Sequence, residues 1–317
     1  MRLYFIMGLS IILIVILVIV LYVITTHNEY FADFTTLPVD FQKKIFNKPI
    51  IWSYWELKPG DISPPAYINL CFKTFYYNCA TKFDVKILNE KTVYDYIPEL
   101  RNDLNHLNIA AKSDYIRIAL LYFYGGIWLD ADTIVMTDLK QITDKLDQAW
   151  DFVGFGCTGN KCMYDGYPRP SNGAMASQKG SILMKNTLLE LDKKLDEYYS
   201  QDTTIREKLG YFDLGKIILW KEIDNLIKLQ NYNYYHFPSY ADGSRDVDGN
   251  WIAPYLIFEK NINLMDHSRL IIVFLANSIY CGNDTKYNWF CKLSEEDILN
   301  GPYFVSSLFR KSLDYKI

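Results

Sequence analysis

The sequence lacks a basic excess: 33 Lys and Arg stand against 37 Asp and Glu over 317 residues, a formal net charge of −4. That balance leaves no electrostatic footprint for nucleic acid, so no nucleic-acid partner is expected. Cysteine is sparse at 6, and no Cys-x-x-Cys spacing occurs, which argues against a structural zinc site. No internal repeat and no low-complexity tract is present outside the N-terminal segment. Charged residues make up only 22% and hydrophobic ones 50%, so the chain is globular rather than disordered. Its length suits one large domain or two small ones, with one α/β domain the economical reading. The 26 Tyr and 18 Phe suit an aromatic-lined cleft and fit a compositional bias even better.

One stretch lacks charge altogether. Tyr4 to Ile24 is a run of 21 residues with only Gly8 and Ser10 mildly polar. A bilayer core takes about 20 such residues as a helix. A cleaved signal would have a shorter apolar core, and Thr25-Thr26-His27-Asn28 offers no cleavage site. Arg2 precedes the run, while His27, Glu29 and Asp33 follow it, which keeps the N-terminus cytosolic. The expected organisation is a cytosolic tip and signal-anchor over 1–24, a stem over 25–47 and a catalytic domain over 48–317. The result is a single-pass type II membrane protein whose domain faces the secretory lumen (Golgi or ER) or is otherwise extracytoplasmic. Local cysteine pairs, Cys71 with Cys79, Cys157 with Cys162 and Cys281 with Cys291, suit disulfides there, the alternative being buried thiols. Asn283-Asp284-Thr285 is a glycosylation sequon.

From Pro49 the pattern alternates. Pro49 to Trp55 reads as a buried strand, and Ser63-Pro64-Pro65 opens a helix reaching Tyr77. Phe83, Val85 and Ile87 alternate with polar neighbours as a half-buried strand. Asn108 to Tyr124 reads as a helix closed by Gly125, followed by strands at Ile127 to Asp130 and Asp151 to Gly156. Asn172 to Ser177 is a further strand, and Ser181 to Tyr199 an amphipathic helix. Alternation of this kind predicts a mostly parallel sheet flanked by helices, with ligands beyond the carboxyl ends of its strands.

Asp130 and Asp132 fall at such an end. Two carboxylates one residue apart suit Mg²⁺ or Mn²⁺, which take one or two carboxylates and fill the shell with phosphate and water. A bare D-x-D recurs by chance, but here an apolar strand leads straight into it and the Gly125-Gly126 pair lets the backbone pack closely. On the preceding helix Asp114 and Arg117, three apart, share a face. Ile116, Ile118, Ala119, Leu120 and Leu121 make that helix apolar nearly all round, so the two charges are expected to be partly buried and functional rather than a surface ion pair. Trp52, Ser53 and Trp55 on the first strand are candidates for the nucleotide, although Trp in a core strand is as often packing.

The segment Ser113 to Asp132, a helix S-D-x-x-R and then G-G-x-[YW]-x-D-x-D, resembles the signature of glycosyltransferase family 32 and the related capsular polysaccharide synthesis proteins. It is similar, more distantly, to the glucosylating clostridial toxins. Ile50 to Trp55 is similar to that family's opening strand ending in Trp. The resemblance covers Pro49 to Ser177 well and implies a GT-A fold, a nucleotide-sugar donor, a glycan, glycolipid or glycoprotein acceptor, and transfer with retention at the anomeric carbon. It implies Asp130 and Asp132 on the metal, ribose and diphosphate, Asp114 and Arg117 on the donor sugar, Trp55 on the base, Trp128 lining the donor pocket and Asn172 near the sugar. Many relatives carry a C-terminal His completing the metal or diphosphate site. Val273 to Ser278 has none, leaving His267 and Asn277 as candidates.

Two alternatives remain. Leu129-Asp130-Ala131-Asp132-Thr133 also resembles the nucleophile motif of haloacid-dehalogenase-like phosphatases, a fold that normally begins with this strand. The other is a catalytically inactive relative that keeps the fold and binds a glycan.

Overall fold

The computed structural model describes residues 44, 46–156, 163–164, 167–202, 209–210, 212–230, 232–246, 248, 250–260, 263–275, 281 and 286–316. Residues 1–45 and 46–317 form separate units, and the fold described is that of the second. The Tyr4–Ile24 run, most of the stem, Cys157, Cys162, Asn277 and the Asn283 sequon lie outside the described residues. Among the described residues no helix is long and apolar enough to cross a membrane.

The chain runs β1 (Ile50–Tyr54), α1 (Ala66–Cys79), β2 (Asp84–Leu88), α2 (Ile109–Tyr124), β3 (Gly126–Leu129), β4 (Thr133–Val135), α3 (Lys140–Asp147) and β5 (Phe152–Phe155). It continues through β6 (Met163–Tyr164), β7 (Tyr167–Pro168), β8 (Ser171–Ser177), α4 (Ile182–Ser200), α5 (Lys216–Lys228), β9 (Tyr234–His236), β10 (Ile272–Phe274), α6 (Glu295–Asn300) and α7 (Phe304–Ser312). The sheet order is β2-β1-β3-β8-β5-β9. β1 is buried at every position, which is why it reads as an unbroken apolar run rather than an alternating one.

The mixed α/β architecture and the mostly parallel sheet agree with the sequence reading, with one correction. β8 runs antiparallel to both β3 and β5. Between β5 and β8 the described chain contains the two-stranded ribbon β6–β7 rather than a crossover helix, so β8 returns against its neighbour. Its first residues therefore lie where the parallel strands end.

The Gly125-Gly126 break is dictated by crowding. Both have positive φ, +69° and +97°, and a Cβ on Gly126 would stand 2.6 Å from the Ile50 carbonyl oxygen. Asn108 caps α2 by accepting from the Ala111 amide at 2.9 Å. After the acidic pair, β4 pairs antiparallel with β10, and the Leu275 amide donates to the Asp132 carbonyl at 2.9 Å. This brings a late segment of the chain against Asp132.

The Cys71–Cys79 disulfide does not form. Both thiols are free and buried on α1. Eight residues of helix separate them by about 12 Å along the axis, beyond the span a disulfide can bridge. Cys281 and Cys291 are joined, with Cα atoms 5.9 Å apart.

Candidate active site

The carboxyl ends of β1 and β3, the start of β8 and the first turns of α2 enclose a cleft of about 580 Å³. Trp55 and Glu56 enter it from β1, Ser113, Asp114 and Arg117 from α2, Asp130 and Asp132 from β3, and Ser171, Asn172 and Gly173 from β8. Phe212, Ser244, Phe274 and Leu275 close it from later segments.

Arg117 is the centre of this arrangement. It is 4% exposed and Asp114 6%, so neither charge would be tolerated there alone. Arg117 Nη2 lies 3.1 Å from Asp114 Oδ1, and Nη1 lies 3.1 Å from Asp130 Oδ1. Its remaining N–H groups donate to the Ser113 carbonyl at 3.2 Å, to Ser113 Oγ at 2.7 Å and to the Asn172 carbonyl. The guanidinium also stacks over Trp128, 5.0 Å from the ring centroid. A planar fork with every face engaged holds one orientation.

Burial pushes the Asp114 carboxyl up to about 6, against the pull of Arg117. The negative charge of Asp130 adds to the rise and the hydrogen bond from Asn172 opposes it. That bond runs from Asn172 Nδ2 to Asp114 Oδ1 at 2.8 Å. Asp130 accepts from Trp128 Nε1 at 2.9 Å through Oδ1. Its side chain is about a third exposed, 32%, so a ligand in the cleft reaches it.

Asp130, Asp132, Asp114, Arg117, Trp55 and Asn172 thus share one cleft. Three expectations need correction. Trp52 is fully buried, its Nε1 donates to the Gly125 carbonyl at 2.9 Å, and its ring packs against Tyr96 and Tyr124. Ser53 is fully buried and stands outside the cleft, its Oγ without a hydrogen-bond partner among the described residues. Trp128, 1% exposed, sits beneath Arg117 rather than lining the pocket. Trp52 and Trp128 are register partners on adjacent strands, and both rings face α2, which explains why neither reaches the cleft.

His267 is also displaced from its expected role. It lines a separate pocket with Tyr240 and Arg269, 5.6 Å from the ring of Phe304, and is absent from the cleft. Among the described residues no group of three or more His, Cys, Asp or Glu converges on one point. The oxygens in the cleft nevertheless fit Mg²⁺ or Mn²⁺, which need only one or two carboxylates beside phosphate and water. Asp130 and Asp132, which both line the cleft, could supply them.

Sequence reasoning missed two residues that shape the site. Gly215 caps α5, and a Cβ there would stand 2.3 Å from Asp114 Oδ2 and 2.5 Å from Asn172 Nδ2. A glycine opening an apolar helical run was the available signal. Asp242 is 1% exposed and accepts from the Ser244 amide at 2.8 Å and from Ser244 Oγ. The Gly156 amide leans toward its carboxylate without completing a hydrogen bond, and burial pushes that carboxyl up to about 6. Asp242 thereby holds Ser244 at the cleft wall.

No curated protein matches the chain in sequence. Among solved structures, the PaToxG glycosyltransferase shares 14% identity over 57% of this chain and 70% of its own, with a TM-score of 0.40. The glycosyltransferase GlyE of Streptococcus pneumoniae TIGR4 shares 12% identity over 84% of this chain, which spans just under two thirds (64%) of GlyE, at a TM-score of 0.42. The galactosyltransferase LgtC, solved with donor and acceptor sugar analogues, shares 10% identity over 78% of this chain and 98% of its own, at 0.39. Scores of this size leave the functional reading to the residues and the family. The sequence profile of the capsular polysaccharide synthesis proteins matches residues 25–242, a span that takes in Asp114, Arg117, Asp130, Asp132, Asn172, Gly215 and Asp242. This chain belongs to the capsular polysaccharide synthesis protein family.

Proposed function

We propose that the chain is a GT-A-type glycosyltransferase, metal-dependent and retaining. It moves a sugar from a nucleotide-sugar donor to a hydroxyl on a glycan, lipid or protein. The observation that carries this reading is Arg117, which joins Asp114 and Asp130 inside one cleft. Family membership supports it independently.

In this reading Trp55 takes the base, and Asp114, with Arg117 and Asn172 behind it, holds the hydroxyls of the donor sugar. Asp130 and Asp132 hold Mn²⁺ or Mg²⁺, which when bound neutralises charge on the departing diphosphate. The sugar–oxygen bond breaks toward the diphosphate, and the acceptor oxygen attacks the anomeric carbon from the same face. Its proton passes to the leaving-group oxygen, so the step needs no dedicated base.

The phosphatase alternative has less support. Asp130 Oδ1 already accepts from Trp128 and faces Arg117, which leaves it poorly disposed as a nucleophile, and β1 and β2 precede its strand. For compartment, the Cys281–Cys291 bridge supports an extracytoplasmic domain behind the N-terminal anchor.

The test uses the full-length chain in detergent, offered a panel of nucleotide sugars with Mn²⁺. Donor hydrolysis or transfer that stops with EDTA and in Asp132→Ala supports the reading, and NMR of the product gives the anomeric configuration. Donor binding without turnover points to an inactive relative. Phosphate release from simple monoesters would bring the phosphatase back.

A further inference from the structure

Phe212 lines the cleft and is 47% exposed. From it a file of rings and cations runs along α5. Lys216 Nζ lies 4.1 Å from the Phe212 ring centroid and 5.0 Å from that of Trp220. Arg169 Cζ lies 5.3 Å from the Trp220 ring and 5.0 Å from that of Tyr164, and Lys228 Nζ lies 5.7 Å from Tyr164. Residues 216, 220, 224 and 228 recur every four positions, which puts them along one face of α5, and Phe212 lies just before the helix against Lys216.

Rings alone do not explain the charge. The single carboxylate of this face, Asp224, is taken by Arg169, whose Nε donates to Oδ1 at 3.0 Å. Lys216 and Lys228 have no ion pair among the described residues. Lys216 is half-buried, and that burial pulls its ammonium down from its ordinary range. The partly desolvated Lys216 ammonium held against two ring faces, with the exposed Lys228 ammonium beside the Tyr164 ring, calls for an anion. Trp220 is fixed in place by donating Nε1 to the Pro170 carbonyl at 2.7 Å, so the file is pre-organised.

We propose that this face binds the acceptor as an acidic oligosaccharide, laid from the cleft at Phe212 along Lys216 and Trp220 toward Lys228. The inference rests on the transferase reading for the word acceptor but not for the binding of the glycan. Lys216 and Lys228 stand about 18 Å apart along the helix axis, so a chain of several sugars engages both. Continuity with the cleft delivers one end to the reacting centre, and the unpaired cations select carboxylated, phosphorylated or sulfated sugars over neutral ones.

The test measures binding to the full-length chain in detergent by calorimetry. The probes are oligogalacturonate, phosphorylated and sulfated oligosaccharides, and malto-oligosaccharides of matching length. At least one acidic probe should bind more than tenfold tighter than the neutral one, with affinity falling as salt rises. The double variant Lys216→Gln/Lys228→Gln should lose that preference while donor hydrolysis without acceptor stays unchanged. Equal binding of acidic and neutral probes, or an unaltered double variant, overturns the proposal. So does an effect confined to binding of phosphatidylglycerol vesicles, which would make the face a membrane contact. Acidic glycan bound without any donor turnover sinks the transferase reading alone. Donor turnover with no acidic probe bound sinks this inference alone.

Discussion

Arg117 Nη1 lies 3.1 Å from Asp130 Oδ1, and that contact joins α2 to the acidic end of β3. The same guanidinium reaches Asp114 on its own helix and the Asn172 carbonyl at the start of β8. Three separate elements thus converge on one buried cation. Lys carries a point charge and cannot reproduce that fork. Arg117→Ala, which leaves Asp114 and Asp130 without their partner, is expected to cost about 3–5 kcal/mol in urea unfolding. Arg117→Lys should keep more of that stability yet lose at least a hundredfold in kcat/KM. Equal activity of Arg117→Lys and the native chain would remove Arg117 from the site.

Gly215→Ala tests the packing around Asp114. The added methyl would stand 2.3 Å from Asp114 Oδ2, so Asp114 and Asn172 must shift together. Because displacement of about 1 Å can cost a hundredfold, turnover should fall by about that factor. The circular dichroism spectrum should stay native, since Gly215 is the N-cap of α5 and no residue within the helix changes. Retained activity with a native spectrum would show that Asp114 need not hold its place.

The two tryptophans of the first strand region separate stability from binding. Trp52 is fully buried among Tyr96 and Tyr124, whereas Trp55 lines the cleft. Trp52→Ala should lower unfolding free energy by about 3–5 kcal/mol, while Trp52→Phe leaves donor affinity within a factor of two. Trp55→Ala should instead weaken donor binding by about tenfold or more, the loss of one stacked ring. Calorimetric titration with the donor found active distinguishes the two, and a donor-binding loss in Trp52→Phe contradicts the assignment.

What the sequence made legible was local. Asp114, Arg117, Asp130 and Asp132 fall within one helix–turn–strand unit, where spacing alone places side chains on a shared face. The glycine pair signalled its own crowding. Three things depended on partners distant in sequence. The direction of β8 follows from its neighbours, and nothing within Ser171 to Ser177 encodes it. The facing of Trp52 and Trp128 follows from where α2 packs. Gly215 and Asp242 matter only because the fold brings them against Asp114 and Gly156. The expected Cys71–Cys79 bridge failed for a local reason, since both residues belong to one rigid helix.

Thiol chemistry checks that last point. In the folded chain Cys71 and Cys79 are buried, and burial pushes the Cys79 thiol up to about 12. Neither should react with iodoacetamide at pH 8 until the protein unfolds. After denaturation without reductant, peptide mapping should find both alkylated and a Cys281–Cys291 crosslink intact. A Cys71–Cys79 crosslink in the mapped peptides would contradict the helix.

Asp242 gives the pH dependence. Burial raises its carboxyl from 3.8 to about 6, opposed by the hydrogen bonds from Ser244. A carboxyl raised in the folded state contributes stability that is full below the unfolded value and is lost as pH rises through the folded one. The window therefore runs from about 4 to about 6, and the loss across it is roughly 3 kcal/mol per carboxyl. Asp114, also raised to about 6, adds to the native chain's decline, so only the difference between variants isolates Asp242. Asp242→Asn cannot ionise, and its Oδ1 can still accept from Ser244. Urea unfolding at pH 4.5, 5.5, 6.5 and 7.5 should show a shallower fall for the variant, which becomes the more stable protein relative to native as pH rises. Parallel curves would mean that Asp242 is ionised throughout, with the Gly156 amide completing the hydrogen bond that it only approaches here.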